Sequence, residues 1–167
     1  MKNKFVIAIG SNIKSPEGYE PIKNCNNAII ELSKFKINII QRSSWYLSEP
    51  IPKSSQPNFY NSVLLCCSDH NADKVLKIIQ IVENKFGRIR IFKNMSRCID
   101  IDIISFNGNV KNSLLLTVPH PRMHLRKFVL LPLFEIHSNW SHPLLKKNIK
   151  FLLGKVKYQK IKKLKIY

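Results

Sequence analysis

Apolar residues recur along this chain at two spacings, and the change from one spacing to the other predicts a domain of mixed secondary structure. Short apolar runs rich in Ile, Val and Phe, bounded by polar or turn residues, are typical of β-strands. They cover residues 4–9, 37–46, 59–67, 98–106 and 114–118. A further apolar run at 125–136 contains Pro132 and predicts a packed segment broken at that proline.

Helical spacing is clearest at residues 72–86, where apolar positions recur every three or four residues before Gly87. A second helix is predicted at about 20–35 and a last one at about 143–153. Together with the strands, these helices predict an α+β sandwich, with helices on one or both faces of a mostly antiparallel sheet. On the helix at 72–86, Gln80 and Glu83 are three residues apart and are expected to project from the same side.

The length of 167 residues and the hydrophobic content of 44% predict one domain with a sizeable core. We expect this domain to cover residues 1–153, followed by a lysine-rich, solvated tail at 154–167. No apolar run approaches the roughly 18 residues that a membrane span requires. The four cysteines lack metal-ligand spacing, and no export signal is recognised, so we expect free thiols and a cytoplasmic location.

The net charge of +18 raises the possibility of a basic module that binds nucleic acid. Lys, Ile and Asn together make up 61 of the 167 residues, however, and all three have A/T-rich codons. A biased codon composition therefore accounts for much of the charge. Nucleic-acid binding stays open as an alternative that we do not favour.

The arginines are distributed differently from the lysines, because five of the six lie between positions 88 and 126. The same window contains Asp100 and Asp102, which a strand would project from one face with Cα atoms roughly 6.5–7 Å apart. Such a pair can hold two Mg²⁺ ions that bridge phosphate oxygens, although a lone pair of this kind is more often a solvated face. Arginine side chains near the aspartate pair suit a polyphosphate, because each planar guanidinium group can donate two hydrogen bonds to phosphate oxygens. The arginines concerned are Arg88, Arg90, Arg97 and Arg126.

Other residues are candidates for substrate contacts. His120 lies between two prolines, which suits a fixed ligand contact, but a loop histidine without a role is also possible. Asn61 follows a proline-rich loop, and its amide can make paired hydrogen bonds to the edge of a heterocycle. Phe59 and Phe128 can stack on a flat ring, although aromatic residues at such spacings are more often in the core.

Five segments of the chain, which occur in the same order as in the family, resemble the 6-hydroxymethyl-7,8-dihydropterin pyrophosphokinase family of folate biosynthesis. The longest is PHPRMHLRKFVLLPL at residues 119–133, and the resemblance extends from residue 7 to about 135. The other four are Y-x-S-E-P at 46–50, Q-P-x-F-x-N at 56–61, E-x-x-x-G-R-x-R at 83–90, and R-x-x-D-x-D at 97–102.

The resemblance implies a ferredoxin-like fold and transfer of the intact pyrophosphoryl group of ATP to the pterin hydroxymethyl oxygen, giving AMP. It implies that two Mg²⁺ ions bind Asp100 and Asp102. Catalysis or contact with the ATP phosphates is implied for Arg88, Arg97, His120 and Arg126. The nucleotide is implied to lie against Gln80, Glu83 and Arg90. Pterin contacts are implied for Ser48, Pro50, Phe59, Asn61 and Phe128.

One segment departs from the family pattern. Many members carry Trp-Gly-Pro before the arginine that matches Arg97, whereas this chain has Lys93-Asn94-Met95-Ser96. The resemblance implies that this loop closes over the site, so the change is expected to affect closure and turnover.

An inactive relative that is kept for a binding role is a further alternative, but the retained aspartate pair argues against it. We expect a monomer whose partners are ATP and the pterin, with no membrane, and we do not favour nucleic acid as a partner.

Overall fold

A computed structural model of the chain describes residues 2–87 and 95–165. The elements in chain order are β1 (Asn3–Ser11), α1 (Pro21–Lys34), β2 (Asn38–Arg42), β3 (Tyr46–Ser48), β4 (Phe59–Ser68), α2 (Ala72–Lys85), β5 (Asp100–Phe106), β6 (Lys111–Asn112), β7 (Thr117–Val118), α3 (Lys127–Ile136), α4 (Ile149–Lys155) and β8 (Ile161–Lys163). The sequence therefore predicted the type of most elements correctly.

One sheet organises the described part of the chain. Its strand order is β5-β1-β4-β3-β8, and β2 pairs with β4 beside this path. All the pairings within it are antiparallel. β1 and β4 are the long central strands. Their buried apolar side chains, which include Ile7 and Ile9 on β1 and Val63 and Leu64 on β4, fill a sheet that is buried on two faces.

The two faces of the sheet are covered by different helices, because side chains alternate along each strand. On β1, Ile7 and Ile9 belong to a core shared with α1 and α2. Val6 and Ala8 face the other way, into a core shared with α3 and α4. The result is the mostly antiparallel α+β sandwich that the sequence predicted, with helices on both faces.

The ends of α2 show why this segment is helical. The side chain of Asn71 accepts a hydrogen bond from the backbone N–H of Lys74 and so caps the first turn, where Asp73 also lies. After Phe86 the chain turns at Gly87, whose φ of 71° is a left-handed conformation that glycine adopts without strain. The helix therefore ends where the sequence predicted.

Four expectations about the elements differ from the structure. Of the strand predicted at 114–118 only Thr117–Val118 is a strand, and Leu114 and Leu115 before it are exposed. The strand predicted at 37–46 is two strands, β2 and β3, interrupted at Ser43, whose hydroxyl accepts a hydrogen bond from Val63 N at 3.0 Å. The run at 125–136 is not broken at Pro132, because α3 continues through this residue. The last helix begins at Ile149, since Asn148 caps it by accepting a hydrogen bond from Phe151 N.

The lysine-rich tail is also more ordered than expected. Residues 161–163 form β8, which pairs with β3, and Leu164 N donates a hydrogen bond to Trp45 O at 2.8 Å. Part of the end that the sequence predicted to be solvated is therefore an edge strand of the sheet.

The cysteines are free thiols, as the sequence predicted. Cys66 is fully buried and Cys67 is half-buried, which fits neighbouring strand residues on opposite faces. Burial raises the pKa of the Cys66 thiol to about 12. Within residues 2–87 and 95–165, no helix has the length and apolar character needed to cross a membrane.

Candidate active site

Two aspartates project together from the first residues of β5. Asp100 and Asp102 are both half-buried, whereas Ile101 between them is 4% exposed and belongs to the core on the opposite face. In the ladder with β1, Asp100 pairs with Gly10 and Asp102 pairs with Ala8. The shared face that the sequence predicted for the two carboxylates is thus present in the structure.

Two arginines and a histidine lie close to the two carboxylates. Arg97 Nη1 lies 3.1 Å from Asp100 Oδ2, and Arg126 Nη1 lies 3.6 Å from Asp102 Oδ2. His120 Nε2 is 3.7 Å from the same Asp102 oxygen. Arg97 and the more distant segment that contains His120 and Arg126 therefore meet at the aspartate pair. Guanidinium groups so close to acids are placed to contact a phosphate that approaches the same point.

His120 is neutral at physiological pH. Burial and, to a smaller extent, the neighbouring Arg126 and Arg122 lower its pKa to about 4. Its Nδ1 accepts a hydrogen bond from the backbone N–H of Arg122 at 3.1 Å. The ring proton of the neutral imidazole is therefore on Nε2, the nitrogen that faces Asp102, where it can be donated to an oxygen.

Arg126 connects the predicted phosphate side of the site to the predicted pterin side. Its side chain is 15% exposed, and burial lowers its pKa, although an arginine stays protonated in a protein. The guanidinium carbon lies 5.5 Å from the centre of the Phe128 ring, within range of a cation–π contact. Phe128 itself is partly buried against the core that α3 and α4 form.

Glu83 occupies a different position from the one expected. It is 1% exposed, and its Oε1 accepts a hydrogen bond from the backbone N–H of Ile101 at 2.8 Å. Gln80 is exposed. The two side chains therefore do not share one surface of α2, because helical spacing also places Glu83 on the apolar stripe beside Val82. Glu83 holds the backbone between the two aspartates, and a nucleotide contact at Gln80 or Glu83 stays a prediction.

Asn61 has a fixed orientation on β4. Its Nδ2 donates hydrogen bonds to Ser48 Oγ at 3.0 Å and to Phe59 O at 3.0 Å, with Tyr46 O at 3.4 Å. Asn61 and Ser48 are both buried. Because these donors are used within the protein, it is the carbonyl oxygen Oδ1 that is available to a ligand donor.

Of the other predicted pterin residues, Phe59 adjoins this amide. Phe59 is half-buried and, through its carbonyl, contacts Asn61 directly. Pro50 is buried just beyond the end of β3. Stacking of a ring between Phe59 and Phe128 stays a prediction.

Gly10 lies between the two halves of the site and was missed as a site residue. It pairs with Asn61 on β4 and with Asp100 on β5. A Cβ atom at this position would come within 3.0 Å of Asn61 Oδ1. The missing side chain therefore leaves open the space between the amide and the carboxylate. The sequence signal was a glycine at the end of the first strand.

Asn12 was also missed, and it connects the two halves along the rim. Its Oδ1 accepts a hydrogen bond from Arg97 N at 2.8 Å, and its Nδ2 donates to Pro57 O at 3.1 Å. Its backbone N–H donates to Arg97 O at 3.1 Å. Asn12 thus links Arg97 to the proline-rich loop.

Part of the predicted site lies outside the described residues. This applies to Arg88 and Arg90, and to Lys93 and Asn94 of the segment that departs from the family pattern. Their predicted roles stay predictions.

The carboxylate pair fits a magnesium site in which the substrate supplies some of the ligands of the metal ion. Within residues 2–87 and 95–165, no group of three or more His, Cys, Asp or Glu residues forms a cage for a metal ion. Mg²⁺ commonly binds through one or two carboxylates while waters and substrate phosphates fill its other positions. Asp100 and Asp102 supply that number of oxygen ligands, beside cations that suit the phosphates.

Comparison with known proteins identifies the same family as the motifs did. The family model described as 7,8-dihydro-6-hydroxymethylpterin-pyrophosphokinase (HPPK) matches residues 6–138. The 2-amino-4-hydroxy-6-hydroxymethyldihydropteridine pyrophosphokinase of Haemophilus influenzae is 35% identical over 137 residues, which cover 82% of this chain and 83% of that protein. The enzyme of the same name from Bacillus subtilis is 35% identical over 137 residues, covering 81% of this chain and 79% of its own length.

Other relatives are longer than this chain. It spans 18% of the folic acid synthesis protein fol1 of Pneumocystis carinii, with 34% identity over 137 residues. A crystal structure of Plasmodium falciparum HPPK-DHPS with pteroate superimposes with a TM-score of 0.71 at 14% identity. That match covers 93% of this chain and 44% of the Plasmodium chain and supports the fold alone. From the family match and the similarity to relatives of its own length, the chain belongs to the 7,8-dihydro-6-hydroxymethylpterin-pyrophosphokinase family.

Proposed function

We propose that this protein transfers the β,γ-pyrophosphoryl group of ATP to the hydroxymethyl oxygen of 6-hydroxymethyl-7,8-dihydropterin, giving AMP and the pterin diphosphate of folate biosynthesis. The observation that carries this proposal is the register around Gly10, which has Asp100 on one side and Asn61 on the other. Paired residues of adjacent strands share a face, and two inter-strand spacings place these Cα atoms about 10 Å apart. A pterin at Asn61 and a triphosphate at Asp100 would therefore be neighbours.

The pterin half of the proposal rests on the fixed amide. Asn61 Oδ1 faces the space beside Gly10 and can accept a hydrogen bond from an N–H on the edge of a heterocycle. Ser48 is buried beside it, Pro50 is buried two residues further along the chain, and Phe59 and Phe128 offer flat apolar surface for a ring. The chemistry of this half suits a flat, nitrogen-rich ring system, which a pterin is.

The phosphate half of the proposal rests on charge. Arg97, Arg126 and the Nε2–H of His120 all lie near the aspartate pair. They would orient the triphosphate and stabilise the negative charge that shifts towards the leaving oxygen. Asp100 and Asp102 would hold Mg²⁺, which when bound neutralises phosphate charge; a pair of ions is the number predicted from the sequence.

The reaction is a direct displacement. The hydroxymethyl oxygen forms a bond to the β-phosphorus, the bond from that phosphorus to the oxygen bridging to the α-phosphate breaks, and AMP leaves with that oxygen. The hydroxyl proton passes to solvent or to a phosphate oxygen. Neither aspartate acts as the nucleophile, so positioning of the two substrates supplies most of the catalysis.

A nucleic-acid binding module is the second candidate, and the net charge of +18 is the observation in its favour. A binder of phosphate backbones gains nothing from two carboxylates within its arginine cluster.

The cytoplasmic location and the monomeric state predicted from the sequence stay predictions. The four free thiols support the former.

Release of AMP tests the proposal. We expect AMP to form from ATP and Mg²⁺ only when 6-hydroxymethyl-7,8-dihydropterin is present, and not with 6-methyl-7,8-dihydropterin, which lacks the accepting hydroxyl. AMP formation at the same rate with both pterins would show hydrolysis and would reject the proposed transfer.

A further inference from the structure

The carboxylate of Glu135, near the end of α3, is bound by three different parts of the chain. Its Oε1 accepts hydrogen bonds from Ser44 Oγ at 2.7 Å and from Lys163 Nζ at 2.9 Å. Its Oε2 accepts from the Tyr46 hydroxyl at 2.7 Å and from Ser44 N at 3.2 Å. A single side chain thus joins α3 to the start of β3 and to the edge strand β8.

The contacts at this junction determine the protonation states of Glu135 and Tyr46. Burial alone would raise the pKa of the Glu135 carboxyl, but hydrogen bonds from Tyr46, Lys163 and Ser44 hold it below its ordinary value. Burial raises the pKa of the Tyr46 phenol, and the hydrogen bond to Glu135 raises it further. At neutral pH Glu135 is therefore an ionised acceptor and Tyr46 is a neutral donor.

The hydrogen bonds to Glu135 anchor β3, a strand that has only short pairings with its two neighbours. It has three residues, paired with β4 on one edge and with the three residues of β8 on the other. The side chain of Tyr46 is 3% exposed and ends at Glu135, while its backbone carbonyl accepts from Asn61 Nδ2 at 3.4 Å. Two residues further along the strand, Ser48 Oγ accepts from the same amide at 3.0 Å. Displacement of β3 would therefore turn the Asn61 amide.

We propose that Glu135 is a positioning residue for the pterin substrate, acting through Tyr46 and β3 on the orientation of Asn61. This inference rests on the proposed function, since it assumes that the pterin binds at Asn61. Glu135 itself touches neither substrate. Ser44 and Lys163 strengthen this anchor at the start of β3, where Lys163 pairs with Tyr46, and Lys163 lies beyond the matched range of residues 6–138.

Steady-state AMP release with the full chain tests the proposal, with the KM of each substrate measured separately. For Glu135→Ala we expect the pterin KM to rise about tenfold while the ATP KM stays within about twofold, because a buried hydroxyl loses its acceptor. Glu135→Gln keeps an acceptor oxygen and is expected to restore most of the pterin affinity. Tyr46→Phe removes only the hydroxyl and is expected to raise the pterin KM by about threefold or more.

Asp73→Ala is the matched control. It removes a carboxylate that pairs with Lys111 at the first turn of α2, ten residues before Glu83, which is about 15 Å along a helix. We expect both KM values of this variant to stay within twofold of those of the wild type.

The outcomes separate the two proposals. Wild-type protein that releases no AMP rejects the proposed function. Wild-type protein that releases AMP, with a pterin KM unmoved in Glu135→Ala or with both KM values raised equally, rejects the positioning role alone. Should Glu135→Ala fail to fold, Tyr46→Phe decides, and an unchanged pterin KM in that variant overturns the proposal.

Discussion

The backbone N–H of Ile101 donates a hydrogen bond of 2.8 Å to Oε1 of Glu83. This contact joins α2 to β5 at the residue between the two aspartates, and both groups are buried. A buried backbone N–H that loses its acceptor costs about 1–3 kcal/mol. Glu83 therefore supports the aspartate pair from the opposite face of the sheet.

Replacement of Glu83 tests this support. We expect Glu83→Ala to lower the free energy of unfolding by about 1–3 kcal/mol and also to reduce AMP formation. Gln80→Ala is the control on the same helix, because its exposed side chain predicts a change within about 0.5 kcal/mol. Urea unfolding followed by circular dichroism measures both variants, and equal stability of the two would contradict the role given to Glu83.

The aspartate pair is expected to be indispensable for turnover and unimportant for folding. Asp100→Asn and Asp102→Asn keep the side-chain shape but remove the charge that a divalent cation requires. We expect each to reduce AMP formation about 100-fold or more, a loss of several kcal/mol of transition-state stabilisation. The far-ultraviolet spectrum should be unchanged. Normal turnover by either variant would show that the metal assignment is wrong.

Asn61 is expected to discriminate between the two substrates. Asn61→Ala removes the acceptor that faces the space beside Gly10, so we expect pterin binding to weaken by about tenfold or more and ATP binding to stay within twofold. Calorimetric titration with each ligand measures the two effects. Equal losses for ATP and the pterin would remove Asn61 from the pterin site.

Gly10 tests the proximity of the two halves. A methyl group there would lie 3.0 Å from Asn61 Oδ1, so Gly10→Ala is expected to displace the amide and raise the pterin KM by about tenfold. Gly154→Ala is the matched control, because nothing lies within 4 Å of the added atom. If the two substitutions had the same small effect on the pterin KM, the space beside Gly10 would not belong to the site.

The sequence predicted the local features of this molecule better than its long-range contacts. The aspartate pair followed from strand alternation, because Asp100 and Asp102 are neighbours on one strand. The contact between Gly10 and Asn61 depends on the register of β1 against β4, which no local pattern specifies. A signal for Glu83 was present, since it lies four residues after Ile79 on the apolar stripe, but an acidic side chain suggested exposure.

The lysine-rich end shows a second limit. Its charge and lack of a family match predicted a solvated tail, yet Ile161–Lys163 pairs with β3 and Lys163 reaches Glu135. Edge strands tolerate exposed lysines, so the composition of this segment does not distinguish an edge strand from a free end.

The central claim is that one site moves an intact pyrophosphoryl group from the nucleotide to the pterin. It is tested most directly with ATP labelled on the β-phosphate, Mg²⁺ and 6-hydroxymethyl-7,8-dihydropterin, followed by separation of the products. We expect the label to leave with the pterin as a diphosphate while unlabelled AMP accumulates in equal amount. Label retained in ADP, or released as free pyrophosphate with the pterin unchanged, would contradict it.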